Sequence, residues 1–486
     1  MNITKFSYDR NQDFKKSSDK LFDVIEQFSE ENILDSFFNH YENRYLIPKD
    51  VLKQNMKKNI ANKFLYKSNK FSDILKLKSI PISLMKNIGF LFLSLFYSSN
   101  NMKRKKYKLI IDEIDHDNYL IRFSSLIDLF DKKDVLIFAN DKIDQSRFSN
   151  YNIRTVNLFK NHNFIDVLKT IYHEFFWGMR ICLIASLKLK INLFSESKAI
   201  ITTFLKYNNL FKLNNADFLF QERLYTTNPI KNYLFKKHGG KATSTMQKSI
   251  LELCQMSYYI DIDYFFSLGK VTAERAFEYG GRIDKVIPVG SYFMEKNLQN
   301  RISQKEKNID VLMLGINTMN AYERLDKYTE FMNDYYESIR WLVKFKKEYP
   351  SYRIGIKHHS SAGSDIIENK ITLDSGIEIL PKEQNSYELA FESRCIVTWG
   401  STMGYEMNAH GVPSFFIDPG KRNTFLYDLR NKKFQHLLLD NYDDYQNYLV
   451  STISGLVNKD YEVDLSKNLC LDSHNVSKEI YKTFCN

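Results

Sequence analysis

The chain has few cysteines and no arrangement of them that makes a scaffold. Cys182, Cys254, Cys395, Cys470 and Cys485 are odd in number, far apart and mostly set in apolar runs. They read as reduced residues of a cytosolic protein, which excludes a disulfide frame and a cysteine metal site. Long apolar runs are absent as well. The longest, Ile88 to Tyr97 (IGFLFLSLFY), is far too short to cross a bilayer as a helix. The first twenty residues, MNITKFSYDRNQDFKKSSDK, contain no apolar signal region. Zinc-finger spacing, RNA-binding signatures, basic heptads, internal repeats and low-complexity tracts are also missing, so nucleic acid is not an expected partner.

What is present is ample material for packed interiors. The 486 residues are 43% hydrophobic and 15% aromatic, too long for one ordinary core and suited to two α/β units with an addition. The net charge of +11, from 69 Lys and Arg against 58 Asp and Glu, favours anionic partners. Lys86 precedes the apolar run and Met102-Lys103-Arg104-Lys105-Lys106 follows it. Such a segment lies either in the interface of an anionic inner leaflet or in a core beside a solvated basic loop, and both readings stay open. A second run, Phe175 to Leu187, is interrupted by Arg180 and is expected to pack inside.

Periodicity divides the chain. Residues 1–105 carry helical patches without strand alternation, a helical appendage. From Lys108 short apolar strands alternate with helices: Leu109 to Asp112, Val135 to Asn140, Arg154 to Phe159, Asp217 to Gln221, Ala242 to Gln247, Tyr264 to Leu268 and Val286 to Val289. The polar stretch Glu295 to Asn308 has linker composition, and beyond it the alternation resumes. The expected strands there are Asp310 to Gly315, Tyr352 to His358, Ile377 to Leu380, Cys395 to Trp399 and Pro413 to Ile417. Helices are expected over Tyr328 to Glu348 and Ser386 to Phe391. The fold class is therefore α/β, with two Rossmann-like units over 106–295 and 296–486 facing a cleft.

The segment WGSTMGYEMNAHGVP carries the most chemistry. A buried strand runs into Gly400, Ser401 and Thr402 and then a helix, so backbone amides and hydroxyls gather where a phosphate is favoured. Glu406, a turn later, has the reach for a ribose diol. Two further strand ends converge there, Gly315-Ile316-Asn317 and Lys357-His358-His359. Lys357 offers a point charge, and the histidine offers a donor to a phosphate or leaving group. Adjacent histidines on a strand point to opposite faces, so no metal is expected. For the base, Glu222 follows one strand, and Asp112 and Asp115 follow another. Asp261-Ile262-Asp263 precedes a strand and reads as incidental to chemistry.

From about Asp217 to Pro419 these segments resemble GT-B fold glycosyltransferases and related sugar-phosphate transferases of bacterial capsule, lipopolysaccharide and teichoic-acid synthesis. The likeness lies in FLFQERLYTTNPIKNYLFKKHGGKATSTMQKSI, YFFSLGKVTAERAFEYGGRIDKVIPVGS, IKHHS and the Gly-Ser-Thr to Gly-Val-Pro core. The resemblance implies that Gly290 and Ser291 lie at the hinge facing the donor, that Lys357 and His359 meet its phosphates, that Ser401 and Thr402 hold phosphate oxygens, and that Glu406 binds ribose. It also implies a metal-independent enzyme without a tightly bound cofactor, a nucleotide-activated sugar as donor, and a glycan or lipid-linked glycan acceptor. Two departures stand out: Gln247-Lys248-Ser249 replaces Gln-His-Gly, and Ser360 replaces a proline. A sugar-nucleotide 2-epimerase of the same architecture and a non-catalytic assembly partner remain alternatives.

Overall fold

The computed structural model describes residues 14–66, 77–97, 104–114, 117–140, 143–156, 162–221, 224, 227–249, 258–299, 306–316, 329–359, 365–421, 429, 434–456 and 468–485. Two sheets organise them. The first contains β1 (Lys105–Ile114), β2 (Val135–Ala139), β3 (Ile153–Thr155), β4 (Asn214–Gln221), β5 (Ala242–Met246), β6 (Asp261–Ser267) and β7 (Arg282–Pro288), in the order β3-β2-β1-β4-β5-β6-β7. The second contains β8 (Ile309–Leu314), β9 (Ile354–Lys357), β10 (Glu378–Ile379), β11 (Ser393–Thr398), β12 (Ser414–Ile417) and β13 (Leu438–Leu439), in the order β10-β9-β8-β11-β12-β13.

Every neighbouring pair of strands runs parallel. In both sheets the order reverses beside the first strand, between β1 and β4 and between β8 and β11. Ligands of open parallel sheets bind outside the carboxyl ends of the strands at such reversals. The class is α/β with two parallel sheets wrapped in helices, as the alternation predicts.

Parallel sheets are covered on both faces, so their strands read as apolar runs, and successive side chains divide between two cores. On β1, Ile110 packs with the helical N-terminal part while Leu109 and Ile111 face the opposite core. On β8, Val311 and Met313 share a core with the Thr329–Glu348 helix, and Leu312 and Leu314 enter the other. The last helix, Val476–Cys485, packs its Val476, Ile480 and Phe484 with Leu109 and Phe220 of the first sheet, far from its sequence neighbours.

The first helices do not stand apart from the sheet. Leu21, Phe37, Tyr41 and Ile60 lie in one continuous core with Ile110 and Leu219. Glu174, buried in that core, accepts hydrogen bonds from Tyr45 Oη at 3.0 Å and Tyr41 Oη at 3.4 Å. Cys182 is also buried there, its thiol pushed up to about 12 by burial first and the Glu174 charge second. Cys395 and Cys470 are buried as free thiols and Cys485 is exposed, while Cys254 lies outside the described residues.

Three sequence expectations are corrected. Phe176, Trp177 and Leu187 are 63%, 56% and 55% exposed, although their run was expected inside. The helix Met179–Leu189 lies on the surface through its smaller residues Cys182, Ala185 and Ser186, which turns the large ones outward. The polar stretch expected as a linker begins within a helix, Tyr292–Gln299, where Glu295 is buried and accepts from Ser477 N at 3.0 Å. Asp261 and Asp263 begin β6 itself and are held by Arg282 and Lys236. No helix among the described residues is long and apolar enough to cross a membrane.

One lysine is enclosed against its chemistry. Lys58 is 3% exposed, and its pKa is drawn from 10.5 down to about 7 by burial, resisted by Asp261 and reinforced by the Lys231 charge. Between those two values the unfolded chain binds a proton that the folded one does not, so this group's contribution to stability falls as pH drops from 10.5 to about 7. Lys58→Met is therefore expected to raise the unfolding free energy at pH 7 by roughly 1–4 kcal/mol. In urea titrations the gap between variant and parent should close as pH rises toward 10; a gap that does not depend on pH rules out the assignment.

Candidate functional site

The carboxyl ends of the two sheets meet around a buried carboxylate. After β7 the chain turns at Gly290, whose φ of +90° is left-handed and whose added Cβ would stand 2.9 Å from Leu471 O and 2.8 Å from Ser473 Oγ. Only glycine fits both conditions. The next residue, Ser291, takes Ser473 Oγ at 2.9 Å on its N–H and donates its own hydroxyl to Glu406 Oε1. Glu406 belongs to the helix Thr402–Asn408 of the second unit, and its Oε2 accepts from Tyr387 Oη at 2.6 Å. Burial raises the Glu406 pKa, and the two hydroxyls partly offset that by stabilising the charge.

His410 closes the joint. Its Nδ1–H donates to Glu406 O at 2.7 Å, and its Nε2 accepts from Ser473 N at 3.2 Å. His410, Asp472 and His474 bring ligand atoms within 4.8 Å of one another. With both ring nitrogens of His410 engaged, the group fits an interdomain lock better than a metal site.

Beside this joint lies the reversal between β8 and β11. Thr398 Oγ1 accepts from Gly400 N at 3.3 Å and Ser401 N at 3.0 Å, which folds the turn tightly. Ser401 caps the following helix by accepting from Met403 N at 3.3 Å, as small hydroxyl residues do, and its O–H proton is still available to donate. Gly400, Ser401 and Thr402 are each partly exposed, so this corner reaches solvent.

The strand ends alongside divide their residues by direction. His358 Nε2 pairs with Glu368 Oε1 at 2.9 Å beneath the sheet surface, and Glu368 also accepts from Tyr335 Oη at 2.9 Å. At Gly315 an added Cβ would lie 2.7 Å from His358 Nδ1, so a side chain there would displace this pair. His359 turns the other way and is exposed. Its pKa is lowered by the surrounding protein first and then by the charges of Lys248 and Lys357. Lys248 follows β5, so a cation of the first unit lies near enough to the second unit's imidazole to act on its protonation.

The sequence-level candidates separate accordingly. Lys357 is buried, and its Nζ donates to Lys382 O at 2.9 Å and His358 O at 3.3 Å; it braces the loop instead of presenting its charge to a ligand. Glu406 is buried with its oxygens bonded to Ser291 and Tyr387, so in this arrangement a ribose diol does not reach it. Asp112 is 1% exposed and pairs with Lys231 Nζ at 2.6 Å, which makes it a buried clamp between β1 and the Pro229–Lys237 helix and not an exposed base. Glu222, Asp115 and Asn317 lie outside the described residues. Sequence reasoning did not find Tyr387, Thr398, His410 or Ser473. Thr398 alone carried a local signal, as a hydroxyl residue ending a strand before a small-residue turn.

No protein-family model matches the chain, and no curated protein matches it in sequence. Several solved structures are distantly similar to it. Staphylococcus aureus MnaA with UDP has a TM-score of 0.45 at 11% identity, covering 77% of this chain and 95% of that one. The UDP-GlcNAc 2-epimerase of Neisseria meningitidis, bound to UDP-GlcNAc, has a TM-score of 0.43 at 13% identity over 78% and 99%. The lipopolysaccharide outer core galactosyltransferase WaaB also gives 0.43, at 12% identity over 78% and 99%. Identities this low and scores below one half leave the chemistry to the residues themselves.

The cross-gap pairing is open to direct measurement. Lys248→Met removes a cation that depresses His359, so the imidazole pKa followed by proton NMR should rise toward its ordinary value. An unchanged titration curve would mean that the two units do not face each other this way in solution.

Proposed function

We propose that the chain is a metal-independent glycosyltransferase that moves a sugar, or a sugar-alcohol phosphate, from a nucleotide-activated donor to a bacterial surface glycan or its lipid-linked precursor. One observation carries this reading. The partly exposed Gly400-Ser401-Thr402 corner at the β8 and β11 reversal shares the strand-end edge of its sheet with exposed His359, on which the Lys248 charge of the first unit acts.

In this reading the donor's phosphates sit at the Ser401 and Thr402 hydroxyls, with His359 and Lys248 offsetting charge on the leaving group. Lys357 and His358 hold the loops from behind. Gly290 and Ser291 form the joint, and Glu406 governs how far the units open. Glu222 remains the first choice for the base that activates the acceptor hydroxyl. The site works on the cytoplasmic side of the membrane, where nucleotide-activated donors are made.

The test is a thermal-shift panel of uridine, cytidine and guanosine diphosphates, their sugars and cytidine diphospho-alcohols. A donor present at a hundred times its dissociation constant should add about 2.7 kcal/mol of stability. Ser401→Ala and His359→Ala are expected to weaken binding by about tenfold each, equivalent to about 1.4 kcal/mol. If no nucleotide shifts the parent protein, the chain is an assembly partner. If an N-acetylhexosamine nucleotide is converted without an acceptor, it is a 2-epimerase. Either outcome replaces the transferase reading.

A further inference from the structure

On the first unit one helix carries large apolar side chains on its outer side, although Ile80, Phe90 and Leu91 already supply its inner one. Along Ile80–Phe96 the buried side includes Asn87 and Ser94, while Met85, Phe92 and Phe96 stand 68%, 47% and 80% exposed. Asn87 Nδ2 is tied to Phe194 O at 3.0 Å, and Ser94 Oγ donates to Phe90 O at 2.8 Å, so both donors find acceptors inside. Leaving large apolar side chains in water forgoes about 1.5–3 kcal/mol each relative to burying them. An apolar partner on the outer side would recover that free energy.

The adjoining segment extends the same surface. Phe92 meets Phe175 with ring centroids 6.3 Å apart, and from there Tyr172, Phe176 and Trp177 stand 57%, 63% and 56% exposed. Most of the exposed large apolar side chains among the described residues belong to these two helical segments. That far exceeds the scattered surface hydrophobes of an ordinary globular protein.

The fully exposed charges of these two segments are of one sign. Lys86, Lys169, Arg180, Lys188 and Lys190 are exposed among the apolar residues. The two carboxylates of the second segment, Asp166 and Glu174, are accounted for: Asn208 Nδ2 holds Asp166 at 3.2 Å, and Glu174 is buried against Tyr41 and Tyr45. Asn208 in turn accepts from His238 Nε2 at 2.9 Å, and His238 lines an open cavity of about 570 Å³ with Arg104, Lys105, Lys106, Lys212 and Lys237. A polybasic hollow therefore borders the start of the second apolar segment. Burial, then the Lys237 and Lys212 charges, lower the His238 pKa to about 4, so the hollow draws its positive charge from the lysines and arginine.

We propose that this face is a docking surface for an anionic phospholipid bilayer, the two helical segments entering the acyl boundary while the basic hollow takes lipid phosphate groups. Aromatic and aliphatic side chains interleaved with lysine and arginine match a bilayer interface, where each nearby cation adds about 1 kcal/mol. A second copy of the chain fits worse, because it would set Lys86, Lys169 and Arg180 against like charges. The proposal does not depend on the nucleotide reading.

Vesicle flotation of the full chain decides it. The protein should float with phosphatidylcholine vesicles containing phosphatidylglycerol, float less with phosphatidylcholine alone, and lose binding as salt rises. Phe96→Ser with Trp177→Ser removes two exposed side chains, so melting should be unchanged while vesicle affinity falls at least about tenfold. Lys105→Gln with Lys106→Gln should weaken binding only to the anionic vesicles. Failure of the parent to float at low salt overturns the proposal, as does parental affinity in the Phe96→Ser, Trp177→Ser variant. A dimer that the same variant splits, with no vesicle binding, assigns the face to a second copy instead.

Discussion

A single buried carboxylate sets the geometry of the crevice. Glu406 receives Ser291 from the first unit and Tyr387 from its own, while its backbone carbonyl receives His410, which in turn receives Ser473. A carboxylate shut away from water is costly unless its oxygens are bonded, so the two units are held together by the need to satisfy it. Gly290 lets the chain pass within contact of residues 471–473 at the same place. Any opening between the two units would meet its resistance here.

Much of the architecture is legible in the sequence because parallel strands covered on both faces leave an unmistakable trace. Val135 to Ala139, Ile309 to Leu314 and Ser414 to Ile417 are unbroken or nearly unbroken apolar runs, and glycines and polar residues separate them from helices of recognisable period. The two-residue strand Leu438–Leu439 left no pattern to read. The strand ends were legible too, since the residues that leave a parallel sheet at its reversal are identifiable once the strand order is guessed.

The roles at those ends were not legible, for a physical reason. Whether a charged side chain is a ligand group or an internal clamp depends on partners distant in sequence: Lys231 for Asp112, Ser291 and Tyr387 for Glu406, and the carbonyl of Lys382 for Lys357. No local spacing encodes such pairings. The apolar run Phe175 to Leu187 poses the same problem in another form, because a helix apolar nearly all round does not announce which stripe will be covered. There the decision fell to the small residues, which pack closest, and to Glu174, which the π-helical turn Glu174–Gly178 carries into the core.

The helix Val476–Cys485 completes a hydrophobic interior whose other members lie between residues 109 and 292. A ribosome delivers these parts in order, so the earlier unit emerges with part of its interior uncovered and stays so while the whole of the second sheet is being made. The two halves therefore cannot mature as independent beads on a string, even though each has its own sheet. Aromatic surface around Phe218 and Phe220 waits for Phe484, and during that interval it is available to chaperones or to aggregation.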